Sequence, residues 1–123
     1  MRSVSLEAGA RVFSTDDPSD EIYFVRRGRV DILLPLGGGK RHHVTTLCRG
    51  EFFGEMAFID QGRRSADAEA PTATELFVLS RKVFDTLAAG NRELAAKVFE
   101  ELALAIGQRL RATDAEVRAL EER

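Results

Sequence analysis

The sequence has little cysteine, little proline and no long apolar run. Its single cysteine, Cys48, excludes an internal disulfide and any multi-cysteine zinc or iron–sulfur site. No apolar run approaches the ~20 residues of a membrane span, and the N-terminus lacks the apolar core of a secretion signal. A net charge of −2 is unlike that of a dedicated nucleic-acid binder. We therefore expect a cytoplasmic chain, free or part of a membrane protein, that does not itself bind nucleic acid.

The composition is that of a single globular domain. Of the 123 residues, 44% are apolar and 31% are charged, which argues against wholesale disorder. Residues 1–80 contain eight of the ten glycines and all three prolines, whereas residues 81–123 are rich in Ala, Leu, Glu and Arg. We therefore expect one domain over 1–123, with a β unit at 1–80 and a helical tail at 81–123.

Short apolar segments separated by turns predict the strands of the β unit. The glycine-rich stretch Pro35–Lys40 predicts a hairpin tip. Eight or so short strands at this spacing are typical of a sandwich, jelly roll or small barrel. The predicted strands are Ser3–Leu6, Arg11–Phe13, Ile22–Val25, Arg29–Leu34, His42–Cys48, Ser65–Ala70 and Thr74–Leu79.

The tail carries helix signals. Ser80 can N-cap a helix over Arg81–Ala89, Gly90 suits a left-handed stop, and Asn91 can cap a second helix. The first helix is expected to bury Val83, Phe84 and Leu87. The second presents an apolar stripe formed by Leu94, Val98, Leu102, Ile106, Leu110, Thr113, Val117 and Leu120. This stripe either packs in part on the β unit or pairs with the same helix of a second copy, giving a homodimer.

One stretch, residues 50–66, combines residue types that suit a sugar phosphate. Gly54 allows close approach of the backbone to a ligand, and Glu55–Phe58 predict a short helical turn whose free N–H groups attract an anion. The arginines that follow, Arg63 and Arg64, can return a guanidinium to the same point, and Ser65 adds a hydroxyl. A carboxylate at Glu55 suits a neighbouring sugar hydroxyl.

The same stretch resembles the phosphate-binding cassette of cyclic nucleotide-binding domains, the family that includes bacterial catabolite activator proteins. The matching motifs are Phe53-Gly54-Glu55-Met56-Ala57 and Arg64-Ser65-Ala66. Further similarity lies in Gly9–Phe13, Ile22–Val25, Gly28–Val30 and Thr74–Ser80, so the resemblance covers nearly the whole chain. It implies a mainly β fold, an eight-stranded antiparallel β-roll followed by two α-helices.

The resemblance implies a role for each matching residue. Arg64 would pair with the cyclic phosphate and Glu55 would accept a hydrogen bond from the ribose 2′-hydroxyl. The other ligand-binding residues expected within the cassette are Gly54, Met56, Ala57, Ser65 and Ala66. Ser65 leaves cyclic AMP and cyclic GMP both open, and we favour cyclic AMP.

Two positions depart from the family pattern. Arg63 stands where the family usually has Pro, and we expect its side chain to face water rather than phosphate. Arg109–Thr113 resembles the activator helix segment whose Thr contacts the base, but only if the preceding helix is one turn longer. Thr113 is thus either a base contact or a small residue on the apolar stripe.

Other residues carry no chemistry that we can assign. His42 and His43 are adjacent on a predicted strand and point to opposite faces, which disfavours a metal site. Cys48 is expected to be a small buried side chain. Since no nucleophile–base set or paired acid and base is present, we expect no enzyme activity and no cofactor beyond the nucleotide.

The leading hypothesis is a regulatory module that binds a cyclic nucleotide and transmits binding through its C-terminal helices. Similar domains are appended to sulfate-permease-type transporters and to glutaminases, so we expect a larger protein (transporter, enzyme or regulator) as partner. The alternatives are a structural or dimerisation module that binds no nucleotide, and a transcription regulator lacking its DNA-binding part.

Overall fold

The computed structural model describes residues 2–60, 62–101, 103–104 and 107–108. In chain order the elements are β1 (Arg2–Leu6), β2 (Arg11–Phe13), β3 (Glu21–Arg27), β4 (Arg29–Gly37), β5 (Lys40–Cys48), β6 (Phe52–Phe53), α1 (Glu55–Asp60), β7 (Asp67–Glu69), β8 (Thr74–Ser80) and α2 (Arg81–Gly90). Residues 92–101 are also helical.

The strands form two four-stranded antiparallel sheets. One sheet has the order β1-β8-β3-β6 and the other the order β2-β7-β4-β5. Because β3 and β4 follow each other in sequence but lie in different sheets, the chain crosses between the two sheets at Gly28. The predicted fold class, an antiparallel β-roll followed by helices, is confirmed.

The core between the sheets is built from alternate residues of the central strands. β3 contributes Tyr23 and Val25, and β8 contributes Leu76 and Val78, which pair with them across the sheet. The remaining buried members of this cluster are Val30, Leu47, Phe53 and Ala68. Ile22 and Leu79 also pair and are buried on the opposite face. The sheet that contains β3 and β8 is therefore buried on both faces at this point.

The hairpin and two short strands differ from the sequence prediction. β4 runs to Gly37 and β5 resumes at Lys40, so the turn is shorter than predicted. β7 covers Asp67–Glu69, less than the predicted Ser65–Ala70. β6 was not predicted, because two residues are too few to show alternation.

The prediction for α2 is partly confirmed. The hydroxyl of Ser80 accepts a hydrogen bond from the Val83 amide at 3.0 Å, which makes Ser80 the N-cap, and Phe84 is buried. The expected burial of Val83 and Leu87 is wrong: these side chains are 42% and 62% exposed, because α2 buries only a narrow face.

Of the two sequence predictions for the boundary between the helices of the tail, one is wrong and one is confirmed. The left-handed stop at Gly90 is wrong, since Gly90 has no positive φ. The cap at Asn91 is confirmed, because its side-chain oxygen accepts a hydrogen bond from Leu94 N at 3.1 Å. The stripe from Leu102 onward, with Ile106, Leu110, Thr113, Val117 and Leu120, lies outside the described residues, so the homodimer stays a prediction.

Two further observations concern the chain as a whole. It divides into two compact units, one of them Met1–Asp85, with all eight strands, and the other beginning at Thr86. Within the ranges that the structure describes, no helix has both the length and the apolar character needed to cross a bilayer.

The prediction that Cys48 is buried is wrong. Its side chain is exposed at the end of β5, where its amide donates to the Glu51 carboxylate at 2.9 Å. It lies on the edge of a turn rather than in the core.

Candidate functional site

The cassette, residues 53–66, leaves the sheet at β6 and returns at β7. β6 pairs with β3 through Tyr23 and Phe53, and α1 begins two residues later at Glu55. Phe58 and Ala57 are buried and pack α1 against the roll, whereas Met56 is 57% exposed. The predicted helical turn is confirmed and extends to Asp60.

Gly54 is required by both its conformation and its surroundings. Its φ is +80°, a value that other residues adopt only with strain. A Cβ atom at this position would lie 2.6 Å from Nη1 of Arg64 and 3.1 Å from the carbonyl oxygen of Glu21. The guanidinium therefore occupies the space that a side chain at position 54 would need.

Arg64 is buried, with 3% of its surface exposed, and its guanidinium is tied to three oxygen atoms. Nη1 donates to the carbonyl oxygen of Gly54 at 3.0 Å. Nη2 donates to the carbonyl oxygen of Glu21 and to the hydroxyl of Ser19, both at 2.7 Å. Gly54 and Arg64 thus meet at one point, as the sequence predicts.

Aromatic rings enclose the same guanidinium. Its Cζ lies 4.2 Å from the centre of the Phe13 ring and 5.4 Å from that of Tyr23. Tyr23 in turn stacks on Phe53, with 5.0 Å between ring centres. Cation–π attraction partly offsets the loss of hydration that burial imposes on the cation.

Burial also governs the ionisation of these groups. It lowers the pKa of Arg64, which remains protonated because an arginine pKa starts so far above neutrality. Burial raises the pKa of Tyr23, and the Glu21 carboxylate beside its hydroxyl raises this pKa further.

The guanidinium carries a charge that the described side chains leave unpaired. Among residues whose side chains the structure describes, no carboxylate forms an ion pair with Arg64. In that same set, the buried Nε of Arg64 has no hydrogen-bond acceptor. A buried cation that meets only neutral oxygens is unfavourable without a counter-charge. An anion that approaches the Nε edge would supply both the charge and the acceptor.

The turn between β2 and β3 holds the backbone of the cassette. Asp16 N donates to the carbonyl oxygen of Arg64 at 2.8 Å, and Arg64 N donates to that of Asp17 at 3.0 Å. Pro18 and Arg63 form an isolated antiparallel bridge. These pairings fix the backbone of Arg64, which in the family is usually restrained by a preceding Pro.

The side chain of Arg63 is exposed, as predicted, but it does not simply face water. Its Nη1 donates to the carbonyl oxygen of Asp16 at 2.8 Å. The residue that replaces the family's Pro therefore adds a side-chain contact to the same turn.

Three of the remaining predicted site residues lie along the cassette. Glu55 is half-buried at the first position of α1. Ser65 is exposed and Ala66 half-buried, both in the bend between Arg64 and β7. Thr113 lies outside the described residues. The ligand contacts of all four remain predictions.

Three contacts of the site were not found from the sequence: Phe13, Ser19 and Tyr23. Each lies more than 25 positions from Arg64 and reaches it only through the folding of β2 and β3. The only local signal was the turn composition of residues 16–20.

The two histidines do not belong to this site. Nε2 of His43 lies 2.8 Å from the Thr46 hydroxyl, on the face of the β4–β5 hairpin that also carries Asp31. Among the residues that the structure describes, no cluster of three or more potential metal ligands occurs.

The geometry agrees with comparisons to known proteins. The family model of the cyclic nucleotide-binding domain matches residues 3–91. This chain belongs to the cyclic nucleotide-binding domain family. The match spans all but the first residue of the β-roll, together with the cassette and α2, so the resemblance seen in the sequence is confirmed.

Similar proteins include larger proteins that contain such a domain. The chain is 37% identical over 109 residues to the cyclic AMP receptor protein of Thermus thermophilus, covering 89% of this chain and 49% of that protein. It is 33% identical over 111 residues to glutaminase 1 of Bradyrhizobium diazoefficiens, covering 90% of this chain and 17% of that protein.

A solved structure gives the same result. The crystal structure of Thermus thermophilus catabolite activator protein superimposes with a TM-score of 0.82 at 32% identity, covering 98% of this chain and 55% of that one. The chain therefore spans about half or less of the length of these relatives.

Proposed function

We propose that this chain is a regulatory module that binds a cyclic nucleotide, cyclic AMP in preference to cyclic GMP. The observation that carries the proposal is the buried charge of Arg64 beside Gly54, which no carboxylate among the described side chains pairs with. The similarity to a protein named cyclic AMP receptor protein supports the choice of cyclic AMP.

The charge of the ligand suits this site. A cyclic phosphodiester carries a single negative charge at neutral pH, so one guanidinium neutralises it. Arg64 is already enclosed by Phe13 and held by three oxygens, so little side-chain entropy is lost on binding. Its Nε–H is buried and no described residue accepts from it, so a phosphate oxygen that reaches this edge would supply the acceptor.

The other cassette residues take the roles that the family pattern gives them. Glu55, at the start of α1, would accept a hydrogen bond from the ribose 2′-hydroxyl. Ser65 and Ala66 would offer a hydroxyl and an amide to the phosphate on the strand side of Arg64. Thr113 remains a proposal for a contact to the base.

We propose that the effect of ligand binding is transmitted through the contacts between α1 and α2. Nη1 of Arg81, the first residue of α2, donates to the carbonyl oxygens of Phe58 and Ile59 in α1 at 3.3 and 3.2 Å. The rings of Phe58 and Phe84 pack edge to face, with 5.5 Å between centres. A shift of α1 on binding would therefore reach the first turn of α2. The recipient is a larger protein or a second copy of this chain.

The test is isothermal titration calorimetry with cyclic AMP and with cyclic GMP. We expect Arg64→Ala to cost about 2–5 kcal/mol of binding free energy, because the buried phosphate loses its partner. Arg49→Ala is the matched control: it removes an exposed guanidinium that lies outside the cassette and should change affinity by less than about twofold.

Two results would contradict the proposal. The absence of binding by the wild-type chain at millimolar concentrations of both nucleotides would favour the structural or dimerisation module. Equal affinities of wild type and Arg64→Ala would remove Arg64 from the site.

A further inference from the structure

Ser19 lies outside the cassette, at the end of the turn between β2 and β3, yet it contacts the guanidinium that the cassette supplies. Its hydroxyl oxygen accepts hydrogen bonds from Nη2 of Arg64 at 2.7 Å and from the amide of Glu21 at 3.2 Å. We propose that Ser19 is a positioning residue for Arg64 and thereby sets the affinity for the phosphate. This inference rests on the proposed function.

Ser19 is the one side chain among the three described acceptors of the guanidinium. The other two are the backbone carbonyls of Gly54 and Glu21. Nη2 has two protons, and Ser19 and Glu21 take one each. Rotation of the guanidinium about its long axis would break both bonds, so this pair fixes its plane against Phe13. The buried Nε edge is then held in a single orientation.

The hydroxyl of Ser19 can also donate a hydrogen bond. As it accepts two hydrogen bonds, both of its lone pairs are used, and its own O–H has no acceptor among the described residues. A phosphate oxygen that bridges Nε and Nη2 of Arg64 would displace at most one of the bonds to Nη2. Ser19 can retain its place by donating to the oxygen that arrives.

The turn that carries Ser19 is itself anchored. Thr15 donates to Oδ1 of Asp67 through its amide at 2.7 Å and its hydroxyl at 2.9 Å. Ser14 N donates to Oδ2 of Asp17 at 2.9 Å. Since β7 begins at Asp67, the turn is fixed to the strand that follows the cassette, and the position of Ser19 is fixed relative to Arg64.

The experiment compares Ser19→Ala, Ser19→Thr and Ser14→Ala by calorimetry with cyclic AMP and cyclic GMP. We expect Ser19→Ala to weaken binding roughly tenfold, the effect of one lost hydrogen bond to a charged group. Ser19→Thr keeps the hydroxyl and should recover most of the affinity. Ser14→Ala is the matched control in the same turn, because its hydroxyl contacts Arg11 and not Arg64. It should leave the affinity within twofold of wild type.

A double-mutant cycle with Arg64→Lys separates positioning from a general weakening of the turn. Lysine lacks the Nη2 fork, so Ser19→Ala in that background should change the affinity by less than twofold. An equal loss in both backgrounds would show a merely structural role and overturn the inference.

The outcomes also distinguish this inference from the proposed function. If wild type binds and Ser19→Ala binds equally well, only the role of Ser19 is wrong. If wild type binds neither nucleotide, the proposed function is wrong and the positioning role with it.

Discussion

Gly54 and Arg64 occupy a single shared space: a Cβ on the glycine would lie 2.6 Å from Nη1 of the arginine. The same pair is joined by a 3.0 Å hydrogen bond from Nη1 to the glycine carbonyl. The position of the guanidinium therefore depends on the absence of a side chain ten residues earlier. This explains in physical terms why a motif that begins with Gly-Glu ends with Arg.

Gly54→Ala should destabilise the fold and displace Arg64. Alanine at φ +80° costs about 1–2 kcal/mol of backbone strain, and the clash with the guanidinium adds about 1–3 kcal/mol. Urea denaturation measures the free energy of unfolding. Gly50→Ala is the matched control, because Gly50 has φ +88° but open space around its Cβ position. If both variants lose the same free energy, the clash with Arg64 does not exist.

Much of the fold was predictable from the sequence because its strands are local patterns. β2 has the predicted bounds, and β3 and β8 extend the predicted segments by only a few residues, since apolar side chains there mark buried positions. β6 was missed because Phe52 and Phe53 gain their strand character only by pairing with β3.

Only the part of the candidate site that is contiguous in sequence could be predicted. Gly54, Glu55 and Arg64 lie in one cassette with a recognisable spacing. The contact between Ser19 and Arg64 spans 45 positions and exists only because the turn pairs with the cassette backbone. Likewise, the exposure of Val83 and Leu87 could not be predicted from helical spacing, which locates an apolar face but not the surface that covers it.

Asp67 should make stability depend on pH. The hydrogen bond from the Thr15 amide is the main cause that lowers the pKa of Asp67 below its usual 3.8, and the Thr15 hydroxyl lowers it further. The ionised Asp67 carboxylate therefore stabilises the folded state. Because its folded-state pKa lies below the unfolded one, this contribution to the free energy of unfolding is fully present above pH 3.8 and is lost as the pH falls through the folded-state pKa. Urea denaturation between pH 7 and pH 2.5 measures it.

Asp67→Asn is the informative variant for that pH dependence. It should be less stable than wild type at pH 7, and the difference should shrink as the pH falls below 3.8. Glu69→Gln serves for comparison, because the pKa of Glu69 is lowered mainly by its hydrogen bond to the Arg41 side chain rather than by the turn. A difference between wild type and Asp67→Asn that stays constant with pH would contradict the prediction.

The packing of Phe58 on Phe84 should carry a measurable share of the stability. Each side chain is at most 6% exposed, and their rings meet edge to face. Phe58→Ala and Phe84→Ala should each cost about 3–5 kcal/mol of unfolding free energy. The double variant should cost less than the sum by about 0.5–1.5 kcal/mol, the coupling expected of an aromatic pair. Strict additivity would show that the two rings do not interact.

Arg81→Ala should uncouple the cassette helix from α2 while leaving the phosphate contact in place. The substitution removes the donor to the Phe58 and Ile59 carbonyls and the contact of the guanidinium with the Phe58 ring, but it touches none of the Arg64 contacts. We expect the affinity for cyclic AMP to change by less than about fivefold.

Hydrogen exchange of the α2 amides, measured with and without cyclic AMP, is the readout for that coupling. In wild type, ligand binding should change the exchange rates of α2, and in Arg81→Ala this change should be much smaller because α1 no longer holds the first turn of α2. Lys82→Ala is the matched control, since Lys82 is the neighbouring exposed cation on α2. If Arg81→Ala and Lys82→Ala respond to the ligand as wild type does, α1 and α2 communicate by another route, and packing of Phe58 on Phe84 becomes the contact to test.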